Sequence, residues 1–167
     1  MSVGYRAVQW SSAKRRYDAV ALGAALTIAA IVFVVGKLAH GGTSDEVLLI
    51  RATGVTALAL LHAVLAIGPL ARLDARLAPL LFNRRHLGVL TFLVALAHAV
   101  LVTGYYHGFG VVHPLRSLLA TNANYGSLVA FPFETLGLAA LLILFALAAT
   151  SHDLWLKNLS PRVWKWL

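Results

Sequence analysis

The segment Arg84-Arg85-His86-Leu87-Gly88 runs directly into the uncharged stretch Val89–Gly104, and these residues decide the fold. An uncharged stretch of this length predicts a helix that crosses a lipid bilayer, which takes about 20 residues. His98 lies at its middle, where an imidazole is costly unless it is hydrogen-bonded or bound to a ligand. His98 is therefore the first candidate for a functional residue.

The composition of the whole chain indicates a membrane protein. Of 167 residues, 60% are hydrophobic and only 12% are charged, and the mean hydropathy is +0.80. A soluble domain of this size does not have such a composition. The net charge of +8 comes from basic residues at the ends of apolar segments, which indicates topology signals and lipid-headgroup contacts and argues against nucleic acid. Because the chain has no cysteine, it forms no disulfide and no Cys-ligated metal site.

Four apolar segments predict an all-α membrane protein, a four-span transmembrane helical bundle. A basic arm, residues 1–18, precedes the bundle, which covers residues 19–150 with spans at about 19–36, 47–70, 87–106 and 132–150. Residues 151–167 are predicted to form an interfacial segment, in which Ser160-Pro161 begins a further helix. Most lysines and arginines lie in the arm, the second connection and the last segment. Both termini are therefore expected on the cytoplasmic side of a bacterial inner membrane.

The second and third spans each carry one histidine, His62 and His98. Counting from the connection between the two spans places the two imidazoles at comparable depth. Small residues share the helix face of each histidine, which leaves room for a flat macrocycle. Haem iron accepts neutral imidazole, and two axial histidines suit electron transfer. The alternative is ordinary helix packing, in which each histidine is hydrogen-bonded to a neighbouring helix.

The other charged and titratable residues have two interpretations each. Arg84 and Arg85 either pair with haem propionates or anchor the cytoplasmic side of the membrane. Glu134 is either a carboxylate favoured by the dipole at a helix start or a proton-handling group. His40, His107 and His113 are expected in solvated outer loops, with a quinone, metal or peripheral site as the alternative. His86 and His152 are expected as surface groups at the inner interface.

Three motifs of the chain carry a family resemblance, namely Asn83-Arg84-Arg85-His86-Leu87-Gly88, Leu96-Ala97-His98, and Ala149-Thr150-Ser151-His152-Asp153 with Trp164-Lys165-Trp166-Leu167. They are similar to the ferric reductase-like transmembrane domain family, and most of all to its bacterial members associated with Rieske iron–sulfur proteins. The resemblance covers about Ile50–Leu167. It implies a helical bundle that binds b-type haem and passes electrons in the membrane, with His98 at the position of a haem ligand.

The chain departs from the family pattern after Leu167, where further histidines are expected. Three explanations stay open: His62 substitutes for a missing ligand, the chain is part of a six-span haem-b bundle, or the haem has been lost. We therefore expect a haem-b electron-transfer subunit, a component of an oxidoreductase system that exchanges electrons with a quinone, a flavin or an iron–sulfur protein. The alternative is a cofactor-free structural subunit of a larger membrane complex.

Overall fold

The computed structural model describes residues 12–120, 126 and 131–151, and these residues form helices and connecting turns with no strand. The α-helices are α1 (Ser12–Ala39), α2 (Asp45–Leu73), α3 (Leu80–Val102), α4 (Pro114–Ala120) and α5 (Phe133–Thr150). A 3₁₀ turn at Ala75–Leu77 precedes α3, and a π-helical segment at Thr103–His107 continues it. Four of these helices are long and apolar enough to cross a membrane, namely α1, α2, α3 with its π-helical segment, and α5. The predicted all-α membrane bundle is confirmed.

The helices are longer at their basic ends than the apolar segments alone predicted. Helix α1 begins at Ser12, so residues 12–18 of the predicted arm are helical, and residues 1–11 lie outside the described residues. Helix α2 continues through Pro69 to Leu73, which shortens the second connection. There the Asp74 carboxylate accepts a hydrogen bond from the Arg76 amide at 2.8 Å, which closes the 3₁₀ turn. The predicted interfacial segment after Ser151 also lies outside the described residues.

Helix α2 begins in the run Thr43-Ser44-Asp45-Glu46. Ser44 is the N-cap residue, but its hydroxyl makes no capping hydrogen bond. The two acidic residues in the first turn instead interact favourably with the helix dipole. Asp45 also pairs with Lys37 at the end of α1, which ties the first two helices together at this corner.

The core of the bundle lies between the first three helices. Helix α2 packs against α1 on one side and against α3 on the other, and α2 and α3 are antiparallel. Four buried side chains form the centre of this contact: Ala25, Leu60, Ile67 and Leu87. Close van der Waals packing of such residues is what holds helices together in lipid, where the hydrophobic effect contributes little.

Helix α5 packs much more loosely. It contacts α3 and the short helix α4, and none of its residues is buried within the described part of the chain. Between α3 and α5 lies a groove of about 670 Å³. We call this space the α3–α5 groove; small residues on its walls include Ala95, Ala99, Gly137 and Ala140. The bundle end that carries Arg72 and Arg84 is called the basic end, and the end that carries His107 and Glu134 the far end.

Candidate functional site

His98 lies at the contact between α3 and α2 and also lines the α3–α5 groove. Its ring lies against Gly54, where an added Cβ atom would be only 2.9 Å from the His98 Cε1 atom. Any side chain at position 54 would therefore push the imidazole away from α2. The glycine allows the ring to sit within hydrogen-bonding distance of the α2 backbone.

The hydrogen bonds of His98 fix the protonation of its ring nitrogens. The Nδ1 atom lies 3.0 Å from the backbone carbonyl oxygen of Ile50 and 3.3 Å from the hydroxyl oxygen of Thr53. Because a carbonyl oxygen only accepts, Nδ1 carries the hydrogen and Nε2 keeps its lone pair. Within the described part of the chain, Nε2 makes no hydrogen bond. A histidine that donates one N–H to a backbone carbonyl is the usual arrangement of a metal ligand.

The α3–α5 groove is apolar along most of its length. Its walls are built mainly from Ala, Leu, Val and Gly residues, and its polar side chains are those of His98, Thr103 and Glu134. Small residues on both helices widen the space between them. The groove can therefore hold a flat apolar group in contact with one imidazole.

His62 does not lie near this groove. Its side chain is exposed, and its Nδ1 atom donates to the carbonyl oxygen of Leu58 on its own helix at 2.7 Å. His98 contacts α2 at the level of Gly54, eight residues from His62 and thus about 12 Å away along the helix. The interpretation of the two imidazoles as a pair at one depth is wrong, because the contacts of His98 place it nearer the far end.

Arg84 and Arg85 lie at the basic end of α3. The Arg84 Nε atom donates to the carbonyl oxygen of Val64 at 3.1 Å, one turn before Pro69 in α2. Arg84 precedes His98 by 14 residues, about 21 Å along the helix. Arg85 is exposed but takes part in a polar interaction. The structure therefore does not bring the two arginines and His98 together, and a role for the arginines in cofactor binding stays a prediction.

His86 is not the simple surface group that the sequence predicted. Its Nδ1 atom lies 2.9 Å from the nearer carboxylate oxygen of Asp18, and both side chains are about 30% exposed. This contact joins α1 to α3 at the basic end. In the sequence, this contact could have been inferred from Asp18, a lone acidic residue shortly after three basic ones.

His107 is the largest departure from the sequence analysis. The prediction of a solvated loop histidine is wrong, because the residue is only 4% exposed. The π-helical segment carries the chain one turn beyond α3 and places the imidazole between α4 and α5. Its Nδ1 atom is 2.9 Å from the Ser117 hydroxyl, and its Nε2 atom is 3.6 Å from a carboxylate oxygen of Glu134. His40 and His113 are exposed, as expected, and His152 lies outside the described residues.

Gly108 closes the π-helical segment. Its amide donates to the carbonyl oxygen of Gly104 at 3.2 Å, and an added Cβ at position 108 would be only 2.5 Å from that oxygen. A side chain at position 108 would therefore force the turn apart. The buried position of His107 depends on this close approach.

These features define a class of protein: a helical membrane bundle with one imidazole, its Nε2 free of hydrogen bonds, at the wall of an apolar intramembrane groove. The chain belongs to the family described as ferric reductase like transmembrane component, whose model matches residues 53–167. The matched region begins beside Gly54 and contains His98 and the whole of the groove.

Two curated relatives have the same printed name, protein-methionine-sulfoxide reductase haem-binding subunit MsrQ. The protein from Ralstonia nicotianae is 30% identical over 134 residues, which cover 80% of this chain and 57% of the relative. The protein from Herminiimonas arsenicoxydans is 33% identical over 117 residues, which cover 70% of this chain and 49% of the relative. The chain thus spans about half the length of the curated relatives it matches. No solved structure matches the chain at a significant level.

Proposed function

We propose that this chain is a b-type haem-binding, electron-transfer subunit of a membrane oxidoreductase, and that His98 is an axial ligand of the haem. One observation carries the proposal: His98 donates through Nδ1 to Ile50, which leaves Nε2 as a free lone pair at the wall of an apolar groove. The printed names of the two curated relatives, both haem-binding subunits, support the choice of cofactor.

The residues around the groove fit a haem in three respects. A neutral imidazole with one N–H bonded to a carbonyl is the form that binds haem iron. The groove volume of about 670 Å³ is within the usual range for cofactor pockets. The small residues that face each other across it, such as Ala99 and Gly137, leave space for a planar ring. The fit covers one axial ligand, since His98 is the single histidine among the residues that line the groove.

Bound haem supplies one-electron chemistry, and the chain sets the conditions for it. The Ile50 carbonyl accepts the hydrogen bond from Nδ1 and thereby orients the His98 ring. The apolar walls exclude water from the groove. We assign the chain a role in carrying electrons within a larger system, which the names of the two haem-binding relatives support.

The second axial ligand and the propionate contacts are proposed from the sequence alone. His62 is the second candidate ligand, and Arg84 and Arg85 are candidate partners of the propionates. His98 lines the groove and the other three side chains do not, so His98 is the preferred ligand of the haem iron. The family resemblance implies a six-span bundle. We propose the further helices of such a bundle as another source of haem ligands.

The partner and the location are also proposed. The relatives are named as subunits of protein-methionine-sulfoxide reductase, so we propose that electrons leave this chain for a reductase of that kind. We propose a quinone, a flavin or an iron–sulfur protein as the partner with which the chain exchanges electrons. In the sequence-based prediction, the iron–sulfur protein is of the Rieske type. The excess of Lys and Arg at the basic end supports a bacterial inner membrane with both termini in the cytoplasm.

The test is a reduced-minus-oxidised optical spectrum of the protein purified in mild detergent. We expect a b-type α band in the wild-type protein, its loss in His98→Ala, and its retention in His62→Ala. His62→Ala is a matched control, because it removes the same group from a neighbouring span at an exposed position. A wild-type protein without the band, or an His98→Ala variant with full haem content, would contradict the proposal.

One observation favours the alternative of a cofactor-free structural subunit: among the described residues, His98 is the single histidine that lines the groove. On that alternative, His98 serves only to hold α3 against α2 through its bonds to Ile50 and Thr53. His98→Ala would then reduce assembly or thermal stability with no change in pigment. Measuring haem content and melting temperature on the same sample separates the two functions.

A further inference from the structure

We infer that His107 and Glu134 form a proton-binding site at the far end of the α3–α5 groove, and that the site takes up a proton when the haem is reduced. The inference rests on the haem proposed above. It goes beyond electron transfer, because it couples the electron to a proton.

His107 is buried, Glu134 is partly exposed, and each has a side-chain atom without a hydrogen-bond partner. The side chain of His107 is 3% exposed and that of Glu134 is 24% exposed. Within the described part of the chain, neither His107 Nε2 nor Glu134 Oε2 has a hydrogen-bond partner. The separation of 3.6 Å between His107 Nε2 and Glu134 Oε1 is too long for a hydrogen bond but within the range of an ion pair.

Two buried polar atoms without partners are costly, so their retention calls for an explanation. A proton held between the imidazole and the carboxylate provides one, because either protonation order leaves the pair with no net charge. Without that proton, the pair carries one negative charge in apolar surroundings. Proton binding is therefore the chemistry for which these two groups are suited.

An unusual backbone conformation positions His107. A π-helical segment is rare and occurs often at functional sites, and here it ends at His107. The Ser117 hydroxyl is hydrogen-bonded to Nδ1, which orients Nε2 toward Glu134. Glu134 is partly exposed and lines the groove, so it connects the buried imidazole both to solvent and to the space next to His98.

The other titratable and charged groups close to the pair in the chain are exposed. Among the described residues they are Tyr105 and Tyr106 on the π-helical segment itself, His113 before α4 and Arg116 within α4. His98 lies nine residues before His107, about 13 Å along the helix, and lines the same groove. Glu134 is therefore the acidic group that determines the charge at this site within the described residues.

Coupling follows from electrostatics. A haem held by His98 would lose one unit of positive charge on reduction, in the groove that Glu134 also lines. Because apolar surroundings screen this change weakly, it would favour proton binding by the pair. Reduction thus binds one electron from the redox partner and one proton from the solvent, and oxidation releases both.

The experiment compares the wild-type protein with Glu134→Gln, His107→Gln and the control Glu46→Gln. Gln keeps the shape of Glu134 but cannot bind the proton, and Glu46 is an exposed carboxylate in the first turn of α2 at the same end of the bundle. The haem midpoint potential is measured from pH 5 to pH 9. Full coupling of one proton to one electron lowers the potential by about 59 mV per pH unit.

We expect the wild-type and Glu46→Gln proteins to show a pH-dependent potential, and both pair variants to lose at least half of the slope. Infrared difference spectra give a second readout that needs no haem. An acid-minus-base spectrum should show a carboxyl band that is lost in Glu134→Gln and kept in Glu46→Gln.

The outcomes distinguish this inference from the proposed function. A preparation without an α band overturns the proposed function, and with it the coupling to haem. An α band whose potential does not depend on pH, or the full wild-type slope in both pair variants, overturns the present inference and leaves the proposed function intact. Absence of any pH-dependent infrared band from either Glu134 or His107 overturns the proton site itself.

Discussion

The two sides of α3 are built differently. On one side, α3 packs against α1 and α2 around the buried residues Ala25, Leu60, Ile67 and Leu87. On the other side, α5 buries none of its described residues and leaves the α3–α5 groove. The comparison indicates that the three-helix side holds the fold together, while the α5 side is free to hold a ligand. Mutations that affect one side and spare the other test this division.

The largest effect on stability is expected from Leu60→Ala on the packed side. Leu60 is 6% exposed, and its truncation leaves a cavity between the helices. We expect a loss of about 2 kcal/mol in the free energy of unfolding, at the low end for a buried leucine because transfer into lipid contributes little. The measurement is reversible unfolding in mixed micelles.

The matched control for Leu60→Ala is Leu142→Ala on α5, since Leu142 is 59% exposed. It should change the unfolding free energy by less than about 0.5 kcal/mol. Equal losses in the two variants would contradict the division into a packed side and an open side.

A mutation that fills the groove should affect haem binding on the α5 side and spare the packed side. Gly137 lines the groove, and an added Cβ would meet no atom within 4 Å, so the side chain of Gly137→Leu starts in open space. We expect the larger side chain to occupy the haem space and to weaken haem binding at least tenfold, or about 1.4 kcal/mol. Haem titration of the apoprotein provides the measurement. Gly23→Leu on α1, also in open space, should bind haem normally.

Gly54 connects the two sides, because the His98 ring lies against it. Gly54→Ala places a Cβ 2.9 Å from the ring and should break the bond from Nδ1 to the Ile50 carbonyl. The expected cost is about 1 kcal/mol, the usual net contribution of one hydrogen bond. The haem spectrum and potential should shift at the same time. Gly23→Ala is the control, and a shift of the same size in that variant would contradict this explanation.

The smallest effect is expected at the basic end of the packed side. The side chains of His86 and Asp18 are about 30% exposed, and an ion pair of this kind contributes roughly 0.5 kcal/mol. His86→Gln should lower the unfolding free energy by that amount in low salt and by less in high salt. The more exposed pair of Lys37 and Asp45 should contribute even less, so Lys37→Gln is the comparison.

Much of this architecture could be predicted from the sequence. The apolar segments gave four helices, and the cost of a polar group in lipid marked His98 as a candidate site. The depth of His98 relative to His62 could not be predicted, because the residue count placed the start of the third span near Leu87, whereas α3 begins at Leu80 and His98 therefore lies farther from the connection than His62 does. The contact with Gly54 then sets the level of His98.

The burial of His107 could not be predicted either. The sequence around it, with two tyrosines and two nearby glycines, has the composition of a loop. Only the π-helical segment and the close approach of Gly108 to Gly104 turn the imidazole inward. The helix-start carboxylate Glu134 was recognised, but its neighbour came from a region 27 residues earlier in the chain.

The acceptor for His98 is a main-chain oxygen, and this has an evolutionary consequence. No exchange of the Ile50 side chain deletes that oxygen, whereas a carboxylate in the same role would be lost by a single codon change. A point mutation of Ile50 therefore does not remove the hydrogen bond that influences the electronic properties of the His98 imidazole. Heritable variation in this property has to arise from neighbouring positions that move the ring, of which Gly54 and Thr53 are the nearest.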